Sequence, residues 1–435
     1  MPAAMRTFRV WWILVCLSCL AQPAAAQEMT GRDRERNHIM LRAVEDDLRR
    51  FYYDTTFNGL DLTALFDSAD ARITAAESNS EAFLTIALAL NALRDSHTFF
   101  FPPRFTTNVQ YGWNLGLVGD SCYILKVDPE SDAAARGVRP GDRVIAVDRF
   151  AATRSDRWNL QYFYNVLAPR SSVRLTLQGP GDSVRSVVAQ AEVTTRPFIL
   201  DLTHGEDIWR LIRERQSLKR THRSRFAAFG TDVLVWRLPS FTVGESEIDR
   251  SVRRAQGFKG LVIDLREDPG GFETTLLRLA GNLVGVDTIG LRRTRNGTEP
   301  LRTRADGPRF TGTVVAVADA QSASAAEMLA YVLQMRKRGT VVGDRTAGAV
   351  MEARGHQHSV GVDRVAFYYT SVTTADFVFA DGTRLEGRGV VPDEIVLPSG
   401  ADLAAGRDPA LARAITLAGH TVTPGAAGRL FPPEE

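Results

Sequence analysis

The chain has 435 residues, of which 44% are hydrophobic and 24% are charged, a composition that is typical of a soluble globular protein with more than one domain. The same values exclude a disordered, collagen-like or coiled-coil chain. The formal net charge is only +2, and Arg6 and Arg9 in the first 26 residues account for that excess, so no nucleic-acid partner is expected.

The first 26 residues have the pattern of a secretory signal peptide. Arg6 and Arg9 form a positive end, Val10–Leu20 an apolar core, and Ala24–Ala26 a small-residue cleavage site. The apolar run is shorter than the ~20 residues that a membrane span needs, although an uncleaved anchor remains an alternative. We therefore predict an exported protein, periplasmic or secreted in a bacterial-type cell, with no stable membrane span after signal cleavage.

The cysteines fit an exported chain without internal disulfides. Cys16 and Cys19 lie in the predicted leader, which leaves Cys122 as the single cysteine of the mature chain. Because Cys122 lies in a strand-like apolar run, we expect a buried structural thiol there rather than a nucleophile.

Residues 27–104 are predicted to form a small helical N-terminal domain. Apolar residues recur at helical spacing over residues 36–53. The residues predicted to share one face of this helix are Ile39, Met40, Val44, Leu48 and Phe51. A second apolar helix is predicted over Ser80–Leu93, and Pro102 and Pro103 end the helical part.

Residues 105–197 have the pattern of a β-rich domain, with short apolar runs between Pro, Gly and Asp turns. The predicted strands are Cys122–Val127, Arg143–Val147, Val173–Leu177 and Val184–Ala189. Residues 198–228 are predicted to be a linker, because Asp207–Arg225 is a charged, arginine-rich helical stretch.

Strands and helices alternate from Phe229 onward. They belong to a domain predicted over residues 198–425, which a C-terminal tail over residues 426–435 follows. The predicted strands are Val233–Leu238, Gly260–Leu265, Gly312–Val317 and Val341–Gly343, and the predicted helices are Ser246–Gln256, Glu273–Val284 and Ala325–Met335. Such alternation predicts a largely parallel sheet, so the fold class is α/β.

Ser324 is the first candidate for chemistry. It follows an apolar strand and opens an apolar helix, so its side chain would be exposed beside free backbone N–H groups and the positive end of a helix dipole. A nucleophile and an oxyanion site can coexist at such a turn. The alternative is that Ser322 and Ser324 are only helix caps.

Other segments offer weaker candidates. The glycines of Arg266–Gly271 would let the backbone approach a ligand after a buried strand, although an ordinary tight turn would have the same sequence. Ser96 and His97 lie in the loop after the second helix. His356 and His358 share a strand face, but they lack a cysteine or carboxylate cluster, and no nucleotide-binding or zinc-protease motif is present. We therefore expect no metal and no cofactor.

Four motifs together resemble those of the carboxyl-terminal processing, or tail-specific, serine proteases and their tricorn-like relatives. Lys259–Arg266 with Pro269–Gly271 is similar to the family's strand and oxyanion turn, and Ser322–Glu327 to its nucleophile turn. Gly343–Gly348 is similar to the glycine turn that follows, and Leu385–Asp393 is the fourth match. The resemblance implies a crotonase/ClpP-like catalytic domain of layered sheet and helices.

The β-rich segment resembles a PDZ domain. The residues that resemble its carboxylate-binding loop are Asn114, Leu115, Gly116 and Leu117, and Ala133–Val147 resembles its most recognisable stretch. Such a domain binds a peptide as an added strand and holds its terminal carboxylate on backbone N–H groups. The resemblance thus implies protein or peptide partners, bound in part through their C-termini, with a purely structural or gating domain as the alternative.

The general base departs from the tail-specific branch. A lysine follows the glycine turn in that branch, whereas this chain has Ala349 there. Lys337 would lie about 20 Å along the helix that Ser324 opens, and Lys259 precedes its strand at the end opposite the glycine turn. The two other lysines belong to the PDZ-like part and the linker. A serine–lysine mechanism is therefore excluded.

The tricorn-like branch uses a histidine base instead. Resemblance to it implies Ser324 as the nucleophile and His97 as its general base. Ser96 and Glu386 match the residues that orient the imidazole and stabilise its charged form.

The same resemblance implies an oxyanion hole made by the backbone N–H groups of Ala325 and of Gly270 or Gly271. The expected function is that of an exported serine endopeptidase acting on proteins or peptides. The alternative is a catalytically inactive peptide- or ligand-binding scaffold on the same fold.

Overall fold

A computed structural model gives the fold over residues 29–103, 107–154, 157–179, 183–195, 223–361 and 365–432. The predicted signal peptide lies outside these residues, and so does most of the charged stretch predicted over Asp207–Arg225. Within the described ranges, no helix combines the length and the apolar character that crossing a membrane requires.

Three helices open the described chain: α1 (Gly31–Phe51), α2 (Leu62–Ala75) and α3 (Asn79–Asn91). α1 and α3 confirm the two predicted helices, and a capping box between Thr30 and Asp33 fixes the start of α1. α2 was not predicted, although Phe66 and Ile73 are buried on one face two turns apart.

The middle of the chain is β-rich, as predicted. Its strands are β1 (Phe99–Phe101), β2 (Thr107–Gln110), β3 (Trp113–Val118), β4 (Ser121–Val127), β5 (Arg143–Val147), β6 (Phe150–Ala151), β7 (Ser172–Gln178), β8 (Val184–Gln190) and β9 (Glu192–Thr195). Its helices are α4 (Asp132–Ala135) and α5 (Arg157–Tyr162), which a π-helical turn over Phe163–Leu167 continues. A sheet in the order β3-β4-β5-β7-β8 carries β6 on β5, while β2 and β9 form a separate ribbon. Cys122 is completely buried in this unit, which confirms that its thiol is buried.

The remaining chain alternates strands and helices. The strands are β10 (Arg225–Phe229), β11 (Val233–Arg237), β12 (Gly260–Asp264), β13 (Thr288–Thr294), β14 (Gly297–Arg302), β15 (Thr313–Ala318), β16 (Thr340–Gly343), β17 (Met351–Val360), β18 (Ala366–Phe379) and β19 (Glu394–Ile395). The helices are α6 (Glu245–Ala255), α7 (Glu273–Val284), α8 (Ala325–Met335), α9 (Gly400–Ala404), α10 (Pro409–Ala418) and α11 (Pro424–Gly428). The predicted strands and helices of this segment are confirmed.

The central sheet has the order β10-β11-β12-β15-β16-β19, and every pairing except β10 with β11 is parallel. Trp236 and Ile263 point to the face covered by α6, α7 and α8, whereas Val235 and Val262 point to the face covered by α10. Because both faces are covered, the strands are apolar throughout, as expected of a buried parallel sheet. The part predicted to be a C-terminal tail also packs on this core, through Leu430 and Phe431.

A second, antiparallel sheet was not predicted. Its order is β1-β18-β13-β14, with β17 also paired to β18. The first helices share a core with this sheet, since residues of α1 and α3 pack with Tyr368 and Val372 of β18. The helices predicted as a small N-terminal domain therefore share their core with strands from the C-terminal half of the chain.

The predicted inward face of α1 is only partly right. Met40, Val44 and Leu48 are buried, but Ile39 and Phe51 are 38% and 41% exposed. The buried stripe of α1 is therefore narrower than its apolar spacing indicates.

Candidate active site

Ser324 occupies the turn between β15 and α8. Its backbone has φ 53° and ψ −118°, in a region that costs a residue with a side chain about 1–3 kcal/mol. An ordinary capping serine of this chain, Ser399, is extended instead, with φ −76° and ψ 165°. The Ser324 N–H donates to the carbonyl of Ala349 at 2.9 Å, which holds the turn in place. Ser324 is thus the N-cap of α8 in a sharp strand-to-helix turn, with a backbone conformation that differs from that of an ordinary cap.

Ser322 has a different environment. It is fully buried, donates its hydroxyl to the carbonyl of Leu265 at 2.8 Å and accepts the N–H of Asp319 at 2.9 Å. These bonds attach the turn before α8 to the end of β12. The Ser322 hydroxyl is therefore committed to structure.

Glu327 holds the serine turn from beneath, and this role was not predicted. Its carboxylate is fully buried and accepts the N–H of Ser324 at 3.2 Å, of Ala349 at 2.8 Å and of Gly348 at 2.7 Å, together with the hydroxyl of Thr346. Burial raises the pKa of Glu327, against the opposing effect of these hydrogen bonds. Glu327 lies three residues after Ser324, which is the position of the acid in a capping box, so the sequence could have indicated this role.

Ser96, His97 and Glu386 are in hydrogen-bond contact. The hydroxyl of Ser96 lies 2.7 Å from Nδ1 of His97 and donates to Oε2 of Glu386 at 3.0 Å. While Glu386 is ionised, Ser96 gives its one hydroxyl proton to that carboxylate, so the proton between Ser96 and His97 belongs to Nδ1. That tautomer leaves Nε2 of His97 as a proton acceptor.

Burial shifts the pKa of both titratable groups in this series. It lowers the pKa of His97 below its ordinary value, and the negative field of Asp95 only partly opposes that effect. It raises the pKa of Glu386 to about 7, although the N–H groups of Val350 and Ser96 and the Ser96 hydroxyl favour the carboxylate. At neutral pH the histidine is therefore uncharged, and the glutamate is close to its titration midpoint.

Asp95 positions the loop that carries His97, and it was also not predicted. Its Oδ1 accepts the N–H of His97 at 3.0 Å, the N–H of Thr98 at 2.7 Å and the hydroxyl of Thr373 at 2.8 Å. Because Thr373 belongs to β18, this carboxylate attaches the histidine loop to the antiparallel sheet. The Asp-Ser-His-Thr sequence has the Asx-turn pattern that could have indicated this role.

Gly270 lies directly against the serine turn. A Cβ at this residue, whose φ is 93°, would lie 2.6 Å from Cβ of Ser324 and 2.9 Å from the nitrogen of Ala325. Only glycine therefore allows the two turns to approach so closely. The Gly270 N–H donates to Oδ1 of Asp268 at 2.7 Å, so it is already bonded.

Gly271 presents its N–H differently. Gly271 pairs with Phe241 in a parallel bridge, and the two hydrogen bonds of this bridge are made by the residues on either side of Gly271. The Gly270 carbonyl accepts the Phe241 N–H at 2.8 Å, and the Phe272 N–H donates to the Phe241 carbonyl at 3.2 Å. In such a bridge the N–H of the middle residue points away from the partner strand. Neither this N–H nor that of Ala325 is bonded to any described residue.

Ser324 and His97 belong to one connected cluster without touching through a hydrogen bond. The Ser324 N–H donates to the carbonyl of Ala349. The N–H of the next residue, Val350, donates to the carboxylate of Glu386, which also accepts the hydroxyl of Ser96. No hydrogen bond between Ser324 and His97 occurs in the part of the chain that the structure describes. In unliganded catalytic sites such bonds often tighten only when substrate binds.

A cavity of about 810 Å³ adjoins this cluster, between α3, the turn after α5 and the histidine loop. Ser96, Ala349 and Glu386 form part of its wall. Its apolar lining includes Leu84, Leu88, Phe99, Phe150, Tyr162 and Phe163. We call it the interlobe cavity, and its size and lining suit apolar groups of a bound molecule.

Asn114–Leu117 are part of strand β3 and do not form the loop that was predicted. Leu115 and Leu117 are buried and pair with β4, which explains the extended conformation. β3 is nevertheless an edge of its sheet, and a cavity of about 230 Å³ lies between it and α5. Gln161 of α5 donates to the carbonyl of Leu115 at 3.2 Å across this space.

His356 and His358 have structural partners. His356 stacks on Phe51 with ring centroids 4.3 Å apart, and Nε2 of His358 lies 2.7 Å from Oδ2 of Asp47. Both contacts join α1 to β17. Among the described residues, no group of three or more His, Cys, Asp or Glu side chains is arranged to hold a metal ion.

Comparison with known proteins identifies the C-terminal half. Residues 232–396, which contain the serine turn, the glycine turn and Glu386, match the family model of peptidase family S41. This part of the chain is therefore similar to peptidase family S41. The family resemblance predicted from the motifs is thereby confirmed, whereas Ser96 and His97 lie outside the matched segment.

Relatives of this S41 segment are proteases by name. Over 356 residues the chain is 23% identical to the tail-specific protease of Haemophilus influenzae, covering 76% of this chain and 48% of that protein. Over 180 residues it is 34% identical to tricorn protease homolog 1 of Streptomyces coelicolor, covering 40% of this chain and 16% of that protein. The chain thus spans about half or less of the length of these relatives.

A solved structure has a similar fold. Mature CPAF in complex with lactacystin superposes with a TM-score of 0.62 at 16% identity, over 85% of this chain and 95% of that chain. The likeness shows that the chain has the mixed α/β fold of that protein.

Proposed function

We propose that the chain is a serine-type endopeptidase that hydrolyses peptide bonds of proteins or peptides, with Ser324 as nucleophile and His97 as general base. The observation that carries the proposal is the hydrogen-bonded series from Glu386 through Ser96 to Nδ1 of His97. It stands beside a strained serine turn, in a chain whose residues 232–396 match the model of a peptidase family.

The positions of the protons in this hydrogen-bonded series suit acyl transfer. Nε2 of His97 takes the hydroxyl proton of Ser324 as Oγ attacks the scissile carbonyl, and it later gives that proton to the leaving amine. A water then attacks the acyl group with the same base. The imidazolium formed in between is stabilised through Ser96 by Glu386, and by the carboxylate of Asp95.

The oxyanion hole is proposed to consist of the N–H groups of Gly271 and Ala325. Both are unbonded within the described residues, and both flank the place where Gly270 contacts Ser324. Gly270 itself is not proposed as a donor, because its N–H is held by Asp268. Of the two glycines that the sequence left open, Gly271 is therefore the one that we propose.

Substrate is proposed to enter as an extended peptide. The free edge of β3, with Asn114–Leu117, is the site in a PDZ-like unit where a peptide could add as a strand. The Gln161 side chain occupies one acceptor of that edge and must leave it for a peptide to pair there. The layered central sheet supports a crotonase/ClpP-like catalytic unit, and the pattern of residues 1–26 supports export.

A fluorophosphonate probe tests the proposed function. The probe should label the purified full chain at one residue, which peptide mass spectrometry should place at Ser324. Ser324→Ala should abolish labelling, and the matched control Ser399→Ala, at an ordinary helix cap, should label like the wild type. Absence of labelling in the folded wild type would support the alternative of an inactive scaffold.

A further inference from the structure

Asp268 lies beneath both turns of the proposed catalytic centre. It is completely buried, and its Oδ1 accepts the N–H of Gly270 at 2.7 Å. Its carbonyl accepts the N–H of Ala323 at 2.9 Å, and Ala323 immediately precedes Ser324. One residue therefore fixes the glycine turn and the serine turn to each other.

The second carboxyl oxygen of Asp268 has no partner. Oδ2 is buried and makes no hydrogen bond with any residue that the structure describes. A buried acceptor without a partner is costly, and a buried carboxylate is costlier still, so the neutral acid is favoured. Burial, together with the negative field of Asp319, raises the pKa of Asp268 to about 8.

Among the described residues, no ion pair or hydrogen bond joins the Asp268 side chain to a cation. Arg266, two residues earlier, points to Asp264 and makes bonds of 2.7 and 2.8 Å to it. Glu267 binds Arg237 at 2.9 Å.

The facing loop between β15 and α8 contributes a further acid. Asp319 accepts the N–H groups of Glu267, Gln321 and Ser322 at 2.9–3.1 Å. The charge that faces Asp268 is therefore negative, and it opposes ionisation.

We propose that Asp268 is a positioning residue of the proposed peptidase, which as a neutral acid holds the Gly270 N–H and thereby aims the Gly271 N–H at the oxyanion. The inference rests on the proposed function. Ionised Asp268 keeps the same hydrogen bond but places a negative charge beside the place where the oxyanion forms, and like charges repel. Turnover should therefore fall as Asp268 loses its proton.

The decisive variants are Asp268→Asn, which mimics the neutral acid at every pH, and Asp268→Ala, which removes the support of Gly270. We would measure the second-order rate of fluorophosphonate labelling at Ser324 between pH 6 and 10, corrected for hydrolysis of the probe. The wild-type rate should fall above about pH 8, and in Asp268→Asn the ratio of the rates at pH 9.5 and 7.5 should be at least about fivefold higher than in the wild type. Asp268→Ala should lose about tenfold to a hundredfold at every pH, somewhat less than loss of a whole oxyanion donor.

Asp376→Asn is the matched control. Asp376 is also a buried acid with a raised pKa and an unpartnered oxygen, but it lies in β18, where its other oxygen pairs with Arg384 at 2.9 Å. Its variant should keep the alkaline fall of the wild type. If Asp268→Asn keeps that fall as well, the inference is overturned.

A second measurement does not depend on activity. The folded chain holds the Asp268 proton up to about pH 8, whereas an unfolded aspartate releases it near 3.8, so the wild type loses stability as pH rises between those values. The Tm of Asp268→Asn relative to the wild type should therefore rise from pH 4 to 8 and level off above 8. A constant difference would overturn the inference, whereas an unlabelled wild type with this pH-dependent difference would overturn only the proposed peptidase.

Discussion

Ser96 binds Glu386 twice, through its backbone N–H at 2.8 Å and its hydroxyl at 3.0 Å, although 290 residues separate the two in sequence. Two bonds to one carboxylate fix both the position and the rotation of Ser96. The hydroxyl is thereby held at hydrogen-bond distance from Nδ1 of His97. The orientation of the imidazole therefore depends on a residue near the other end of the chain.

The decline of activity at acid pH should follow the protonation of Glu386 rather than that of His97. As pH falls through about 7, Glu386 gains a proton and the Ser96 hydroxyl loses its anionic acceptor, while His97, whose pKa is lowered, is still neutral. We expect kcat/KM to decline below about pH 7. In Glu386→Gln the decline should move to lower pH, with kcat reduced by less than the about 10²–10⁴ that loss of a general base costs. An acidic limb at the same pH in both proteins would contradict this assignment.

A lysine at residue 349 should not improve the site. Ala349 lines the interlobe cavity together with Glu386 and Ser96, so a cation there would lie near His97 and oppose formation of the imidazolium. Ala349→Met, which has a similar length and no charge, is the matched control. We expect kcat of Ala349→Lys to be at least about tenfold below that of Ala349→Met. Turnover above that of the wild type would mean that lysine serves as the better base.

Both glycines of the turn should be sensitive to an added methyl group. In Gly270→Ala the methyl would lie 2.6 Å from Cβ of Ser324 and 2.9 Å from the backbone nitrogen of Ala325, so kcat should fall by about 10²–10³ and Tm should fall. In Gly271→Ala it would lie 2.5 Å from the backbone of Phe241, so Tm should fall as well. Gly230→Ala is the control, because its φ is also positive and nothing lies within 4 Å of the added methyl. Full activity of Gly270→Ala would show that this turn plays no part in catalysis.

Glu327 should be a major source of local stability. Glu327→Ala leaves the N–H groups of Gly348 and Ala349 and the hydroxyl of Thr346 without their acceptor, and unpaired buried donors cost about 1–3 kcal/mol each. We expect the free energy of unfolding in a urea titration to fall by at least about 3 kcal/mol. Glu299→Ala, at an exposed ion pair, should change it by less than about 1 kcal/mol. A similarly small change for Glu327→Ala would mean that water replaces the lost acceptor.

Sequence reasoning succeeded where the pattern is local. α7 and α8 have the predicted bounds, because their apolar faces repeat at helical spacing between clear turns. The glycine and serine turns follow β12 and β15 in short motifs, and the C-terminal ends of neighbouring parallel strands lie at one edge of a sheet. For this reason the glycine turn and the serine turn, which the family resemblance assigned to one site, lie side by side.

What the sequence did not predict depends on contacts between distant segments. β18 is 14 residues long and pairs with β1, β13 and β17, partners that no local signal specifies. Asp268 and Glu327 look like ordinary acids in sequence, and only their burial under the two turns gives them a role. Asn114–Leu117 has a composition that fits a loop, but its pairing with β4 makes it a strand.

The residues of the proposed centre are far apart in sequence, so the centre can assemble only when most of the polypeptide has been made. A growing chain that ends before residue 386 already contains Ser96, His97 and Ser324, but the carboxylate that fixes Ser96 does not yet exist. Closing so long a segment is entropically unfavourable until the sheets that join its ends have formed. Unfinished or truncated chains therefore carry the serine without an oriented base, so hydrolytic capacity would arrive only with the finished fold.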